Sequence, residues 1–161
     1  MSAAAEAKGG SRRIAPRTPV FEDFVEGDVH VSYSRTVTES HLVGFTAMAG
    51  LQLPLFIDRE HARAATAFGG PIAPGFLTAS LSAGMMESIL GPNTLAGLGM
   101  DAFRFLQPVR VGDTLHAEVR ISGTKETRDP TRGVVSLAIS VLNQRDEVAL
   151  DYTARVLMKR A

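Results

Sequence analysis

Residues 75–90, Gly-Phe-Leu-Thr-Ala-Ser-Leu-Ser-Ala-Gly-Met-Met-Glu-Ser-Ile-Leu, carry a single charged side chain, Glu87. A helix of this composition is apolar on every side and has to be covered around most of its circumference. Ala79, Ser80, Ala83 and Gly84 are small enough to let another backbone come close, and Gly91-Pro92 ends the segment. The chain has 161 residues, the size of one domain. Few architectures of that size bury a whole helix, and a sheet wrapped around it is one. No apolar run approaches the roughly 20 residues of a transmembrane helix, so no membrane span is expected.

The remaining pattern supplies the sheet. Leu115, Ala117, Val119 and Ile121 alternate with His116, Glu118 and Arg120. Residues 134–142 read as a second strand. Val148, Leu150, Tyr152, Ala154, Val156 and Met158 mark a third, and residues 143–147 form the hairpin between these two. Met100–Leu106 reads as a further strand. Near the start, Val29, Val31, Tyr33 and Val37 alternate with polar residues and predict a half-buried strand, with His30 on its solvated phase. Thr38 is placed to cap a helix carrying Leu42, Val43, Phe45, Thr46, Met48 and Ala49, which stops at Gly50. Asp58 is placed to cap a short helix that runs towards Phe68. Residues 51–58 give no confident element. Strand, helices, buried helix and then about four strands make an α+β fold with an antiparallel sheet.

Charge and cysteine content exclude several classes. Lys plus Arg number 17 and Asp plus Glu number 17, so bulk charge points to no nucleic-acid or membrane partner. Cys is absent, which removes disulfides, thiolate metal sites and a cysteine nucleophile, and fits a reducing, cytoplasmic setting. The four histidines show no metal-ligand spacing, and no metal or cofactor is expected. Residues 1–20, rich in Ala, Gly, Ser and Arg, read as a flexible tail without the apolar core of a secretory signal, ahead of a domain at 21–161.

Three stretches then carry a resemblance. Phe21-Glu-Asp-Phe-x-x-Gly-Asp28, Ser34-Arg-Thr-Val-Thr-Glu39, and Phe68-Gly-Gly-x-Ile72 followed by Gly75 and the apolar helix are similar to the MaoC-like hydratases. Pro108-Val-x-x-Gly-Asp-Thr-Leu115 and the Asn-Gln hairpin extend the resemblance over residues 20–159. It implies a hotdog fold, in which an antiparallel sheet wraps a long central helix. It also implies dimers, or heteromers with another hotdog subunit, and acyl thioesters of coenzyme A as ligand or substrate.

The departure from the family pattern carries as much information. Active members have a segment of the form Gly-Asp-x-Asn-Pro-Leu-His-x-Asp, and here it reads Gly50-Leu-Gln-Leu-Pro-Leu-Phe-Ile-Asp58. The resemblance places the catalytic Asp at Leu51, the catalytic His at Phe56 and the supporting Asn at Leu53. Hydration of an enoyl thioester needs a base to activate water and an acid to protonate carbon, and Leu and Phe do neither. The resemblance also places the thioester carbonyl at the start of the central helix, at Gly75 and Phe76. Unpaired backbone N–H groups and the positive dipole end favour an oxygen ligand there. Leu51, Leu53 and Phe56 would line an apolar acyl site.

Asp58 and His61 are the fallback acid–base pair, set against the plainer reading of a helix cap and a surface histidine. Arg104, Arg110, Arg128 and Arg132 could meet coenzyme A phosphates, though each alone reads as a surface charge. Three functions follow in order: an acyl-thioester binder or the degenerate subunit of a heteromeric hydratase; an active hydratase or dehydratase using Asp58 or His61; and a thioesterase, for which no carboxylate stands near the helix start.

Overall fold

A computed structural model describes residues 18–161. The tail read at 1–20 lies, up to residue 17, outside the described residues. Of its last three residues, Thr18 and Pro19 accept hydrogen bonds from the side-chain amide of Asn93.

Eleven elements follow one another. A 3-10 turn at Phe21–Asp23 leads into β1 (Val29–Val31) and β2 (Arg35–Thr36). Three helices come next, α1 (Glu39–Ala49), α2 (Pro54–Ile57) and α3 (Arg59–Ala65), and then the apolar helix α4 (Gly75–Leu90). The chain closes with β3 (Thr94–Phe105), β4 (Thr114–Glu126), β5 (Arg132–Leu142) and β6 (Val148–Lys159). The strands form a six-stranded sheet in the order β1-β4-β5-β6-β3, with β2 paired to β4, and every pairing is antiparallel. This sheet around α4 is the hotdog arrangement.

Alternation fixes what faces the helix. Leu115, Ala117, Val119 and Ile121 on β4, Val135, Leu137, Ile139 and Val141 on β5, and Leu150, Tyr152, Ala154 and Met158 on β6 are all buried. They form one core with Leu77, Leu81, Met85, Met86 and Ile89 of α4. A hydroxyl pair crosses it, Ser82 Oγ to Tyr152 Oη at 2.8 Å. Burial pushes the Tyr152 phenol above its ordinary pKa, and the bond to Ser82 offsets part of that rise. In the isolated chain α4 keeps one open face, where Phe76, Ser80 and Glu87 are exposed.

The capping signals hold. The Thr38 hydroxyl oxygen accepts from the His41 backbone N–H, the Thr38 backbone N–H donates to His41 Nδ1 in return, and Gly50 ends α1 in the left-handed region at φ 65°. Two strands differ from the pattern. The strand expected at 29–37 breaks after Val31, because the buried Ser32 side chain accepts the Ala117 N–H and interrupts the ladder. Val29 and Val31 consequently face outward, and it is His30 that turns in, its ring 5.8 Å from that of Phe24. The solvated reading of His30 is therefore corrected: its Nε2 is buried without a hydrogen-bond partner. The strand expected at 100–106 begins earlier, at Thr94. Gly97 and Gly99 weaken strand preference, but β6 supplies ladder partners along the whole stretch.

The Ser82–Tyr152 pair gives a test of the core. Tyr152→Phe is expected to lower unfolding free energy by about 1–3 kcal/mol, because Ser82 Oγ loses its partner in an apolar surround. Adding Ser82→Ala should cost less than the two single losses summed, as read by urea denaturation.

Candidate acyl-thioester site

The start of α4 is the point on which the irregular parts of the chain converge. Pro74 precedes the helix in an extended conformation without a side-chain cap. Its carbonyl accepts the N–H groups of Leu77 at 2.9 Å and Thr78 at 3.3 Å. The N–H groups of Gly75 and Phe76 find no acceptor among the described residues. Two donors at the positive end of a four-turn helix are thus free for an oxygen ligand.

One cavity borders this point and a second adjoins the first at Phe56. The first, of about 390 Å³, is walled by Gly75, Phe76 and Thr78 of α4, by Phe105 and Leu106, and by Leu55, Phe56, Phe68 and Ile72. Its lining is almost wholly apolar. The other, of about 350 Å³, lies between α1 and α2, walled by Leu42, Thr46, Leu51 and Phe56, with Glu39 and Arg59 also on its wall. Those two form an ion pair at 2.8 Å. Phe56 is common to both linings and stands between them.

The residues singled out from sequence fall into three groups. Phe56, Gly75 and Phe76 come together in the first cavity, while Leu51 joins Phe56 in the second. Leu53 precedes α2, is 58% exposed and lines neither cavity. Asp58 and His61 also line neither. The Asp58 carboxylate accepts the backbone N–H of His61 at 2.9 Å, so it caps α3 and does not meet the imidazole through this bond.

The arginines are mostly engaged. Arg104 pairs with Asp151 and Arg132 with Asp129, while Arg128 is exposed in the β4–β5 turn. Arg110 donates to the carbonyl of Phe68, a residue of the first cavity's wall. Among the described residues no three His, Asp or Glu side chains gather to hold a metal, and no helix is long and apolar enough to cross a membrane.

Sequence reading missed the aromatic wall. Phe76, Phe103 and Phe105 have ring centroids 6.0–6.3 Å apart, and Phe103 stacks on Tyr152 at 4.9 Å. The Phe105 ring lies where a side chain on residue 75 would begin: a Cβ there would sit 2.6 Å from it. The close approach that Gly75 permits is made by this ring as well as left open to a ligand.

A family model described as MaoC like domain matches residues 20–143. The chain belongs to this family. It is 31% identical over 143 residues to Protein MaoC of Klebsiella aerogenes, an alignment covering 89% of this chain and 42% of that protein. It is 32% identical over 143 residues to a mesaconyl-CoA hydratase of Cereibacter sphaeroides, covering 87% and 41%. The chain thus spans about two fifths of the length of these relatives. The X-ray structure of a monoamine oxidase regulatory protein from Archaeoglobus fulgius superposes with a TM-score of 0.82 at 30% identity, covering 92% of this chain and 99% of that one.

The contact between Gly75 and Phe105 makes a measurable prediction for this MaoC-like domain. Gly75→Ala is expected to cost about 1–3 kcal/mol by overpacking against the ring. In a Phe105→Ala background the same change should cost much less. Unfolding curves of the four variants in the cycle check this.

Proposed function

We propose that this MaoC-like domain binds the acyl end of a coenzyme A thioester and does not itself carry the acid and base for hydration. The observation that carries this reading is the start of α4. Two backbone N–H groups without acceptors, at Gly75 and Phe76, border an apolar cavity of about 390 Å³. Such donors suit a carbonyl oxygen, and more so one gaining negative charge. The apolar lining suits the acyl chain. The name of the mesaconyl-CoA hydratase relative supports a coenzyme A thioester as the ligand.

The groups facing the two cavities support the second half of the proposal. Leu51 and Phe56, at the positions the family pattern gives to Asp and His, share one cavity and offer neither a proton nor a base. Asp58 is committed to capping α3. The domain then acts as the binding, non-catalytic partner in a pair of hotdog subunits. The other subunit is either a second copy or a relative that supplies the Asp and His. The unpaired edge of β3, with Leu95, Leu98 and Met100 exposed along it, and the open face of α4 are surfaces suited to that pairing.

Three measurements test the proposal: binding, hydration and mass in solution. Pure protein should bind crotonyl-coenzyme A but hydrate it no faster than a control without protein. Leu51→Asp combined with Phe56→His should give detectable hydration, since positioned acid–base groups are each worth about 10²–10⁴-fold. Leu53→Asn should add little, because that side chain is exposed. Rapid turnover by the unaltered protein, abolished in Asp58→Ala or His61→Ala, would overturn the non-catalytic reading. In solution the protein should have the mass of a pair, and a single-chain mass at micromolar concentration would overturn the pairing.

A further inference from the structure

We infer that Phe105 sets the length of acyl chain the cavity accepts, and that a one-residue bulge in β3 is the device that aims it. The inference rests on the acyl-thioester reading above and adds the class of acyl group: a short one.

The argument starts from strand parity. Asp101 pairs with Thr153 and Arg104 with Asp151, so Ala102 and Phe103 together face Tyr152 alone. Two residues against one is a β-bulge. Ala102 adopts φ 56°, a conformation that Ala reaches only with strain. Asp101 lies on the outer surface, with its carboxylate towards Arg155. In a regular strand residues 101, 103 and 105 share a face, so both phenylalanines would point outward with Asp101. The extra residue reverses the alternation. Arg104 then turns out to pair with Asp151, while Phe103 turns in to stack on the buried Tyr152.

Phe105 follows in the same phase and lands on Gly75, where it becomes a wall of the cavity. Phe105 is half exposed, so it presents surface that protein does not cover. Its ring also meets those of Phe103 and Phe76, and Phe76 shares the cavity wall with it. The Phe105 ring lies against the helix start at Gly75, so a chain whose thioester carbonyl is held at the N–H groups of Gly75 and Phe76 has this ring as its nearest wall. The occupant is a short acyl chain.

The test is the affinity of the intact protein for butyryl-, hexanoyl- and octanoyl-coenzyme A by calorimetry. Each buried methylene is worth about fourfold in affinity where it fits. The unaltered protein should gain nothing from hexanoyl to octanoyl. Phe105→Ala should recover the gain, about fifteenfold for the two added methylenes. Phe105→Trp, which opens no hole, should shift the preference towards butyryl, with its unfolding curve read alongside. Affinity that climbs through octanoyl in the unaltered protein, or profiles of all three proteins that run parallel, would overturn the assignment of Phe105 while leaving the thioester reading in place. Failure of the unaltered protein to bind any of the three would overturn the thioester reading, and this inference with it.

Discussion

Everything in this domain follows from the cost of exposing α4 to water. The helix buries nine of its sixteen residues, and no amphipathic packing on one side could cover that much of it. A strongly curved antiparallel sheet supplies the cover, with the inner faces of β4, β5 and β6 closing round the helix. The sheet cannot also cover the helix ends. The N-terminal end is left to short helices and loops, which are irregular enough to leave cavities between them. The proposed acyl site therefore lies at the opening of the wrap.

Most of the fold was legible because its signals are local. The uncharged run at 75–90, the alternation on β4 to β6, and the caps at Thr38 and Gly50 each report on a neighbourhood of a few residues. The failures occur where a distant partner decides. Ser32 breaks the first strand by reaching the Ala117 amide, 85 residues away. β3 begins at Thr94 in spite of two glycines, since β6 offers it a ladder. Neither partner is visible in the segment itself, and the alternation of Val29, Val31 and Tyr33 pointed to the wrong buried face.

The site was legible only in part, and for a related reason. Family register located Phe56, Gly75 and Phe76, which do meet in one cavity. It also nominated Leu53, whose side chain points to solvent because it precedes the one-turn helix α2. Phe105 went unnoticed since nothing in the alternation of Asp101, Phe103 and Phe105 announces a bulge between them. A residue's parity in a strand can be read forward only as far as the first irregularity.

The bond between Ser82 and Tyr152 has a consequence for the helix as a mechanical part. An apolar rod in an apolar trough has no strong preference for one angle about its own axis, since greasy contacts are nearly interchangeable as it rolls. A hydroxyl pair buried among them is not interchangeable with anything. It works as an index pin, fixing the rotational setting of α4 in the sheet. That setting decides that Phe76 and Ser80 face outward while Leu77, Leu81 and Met85 face the sheet.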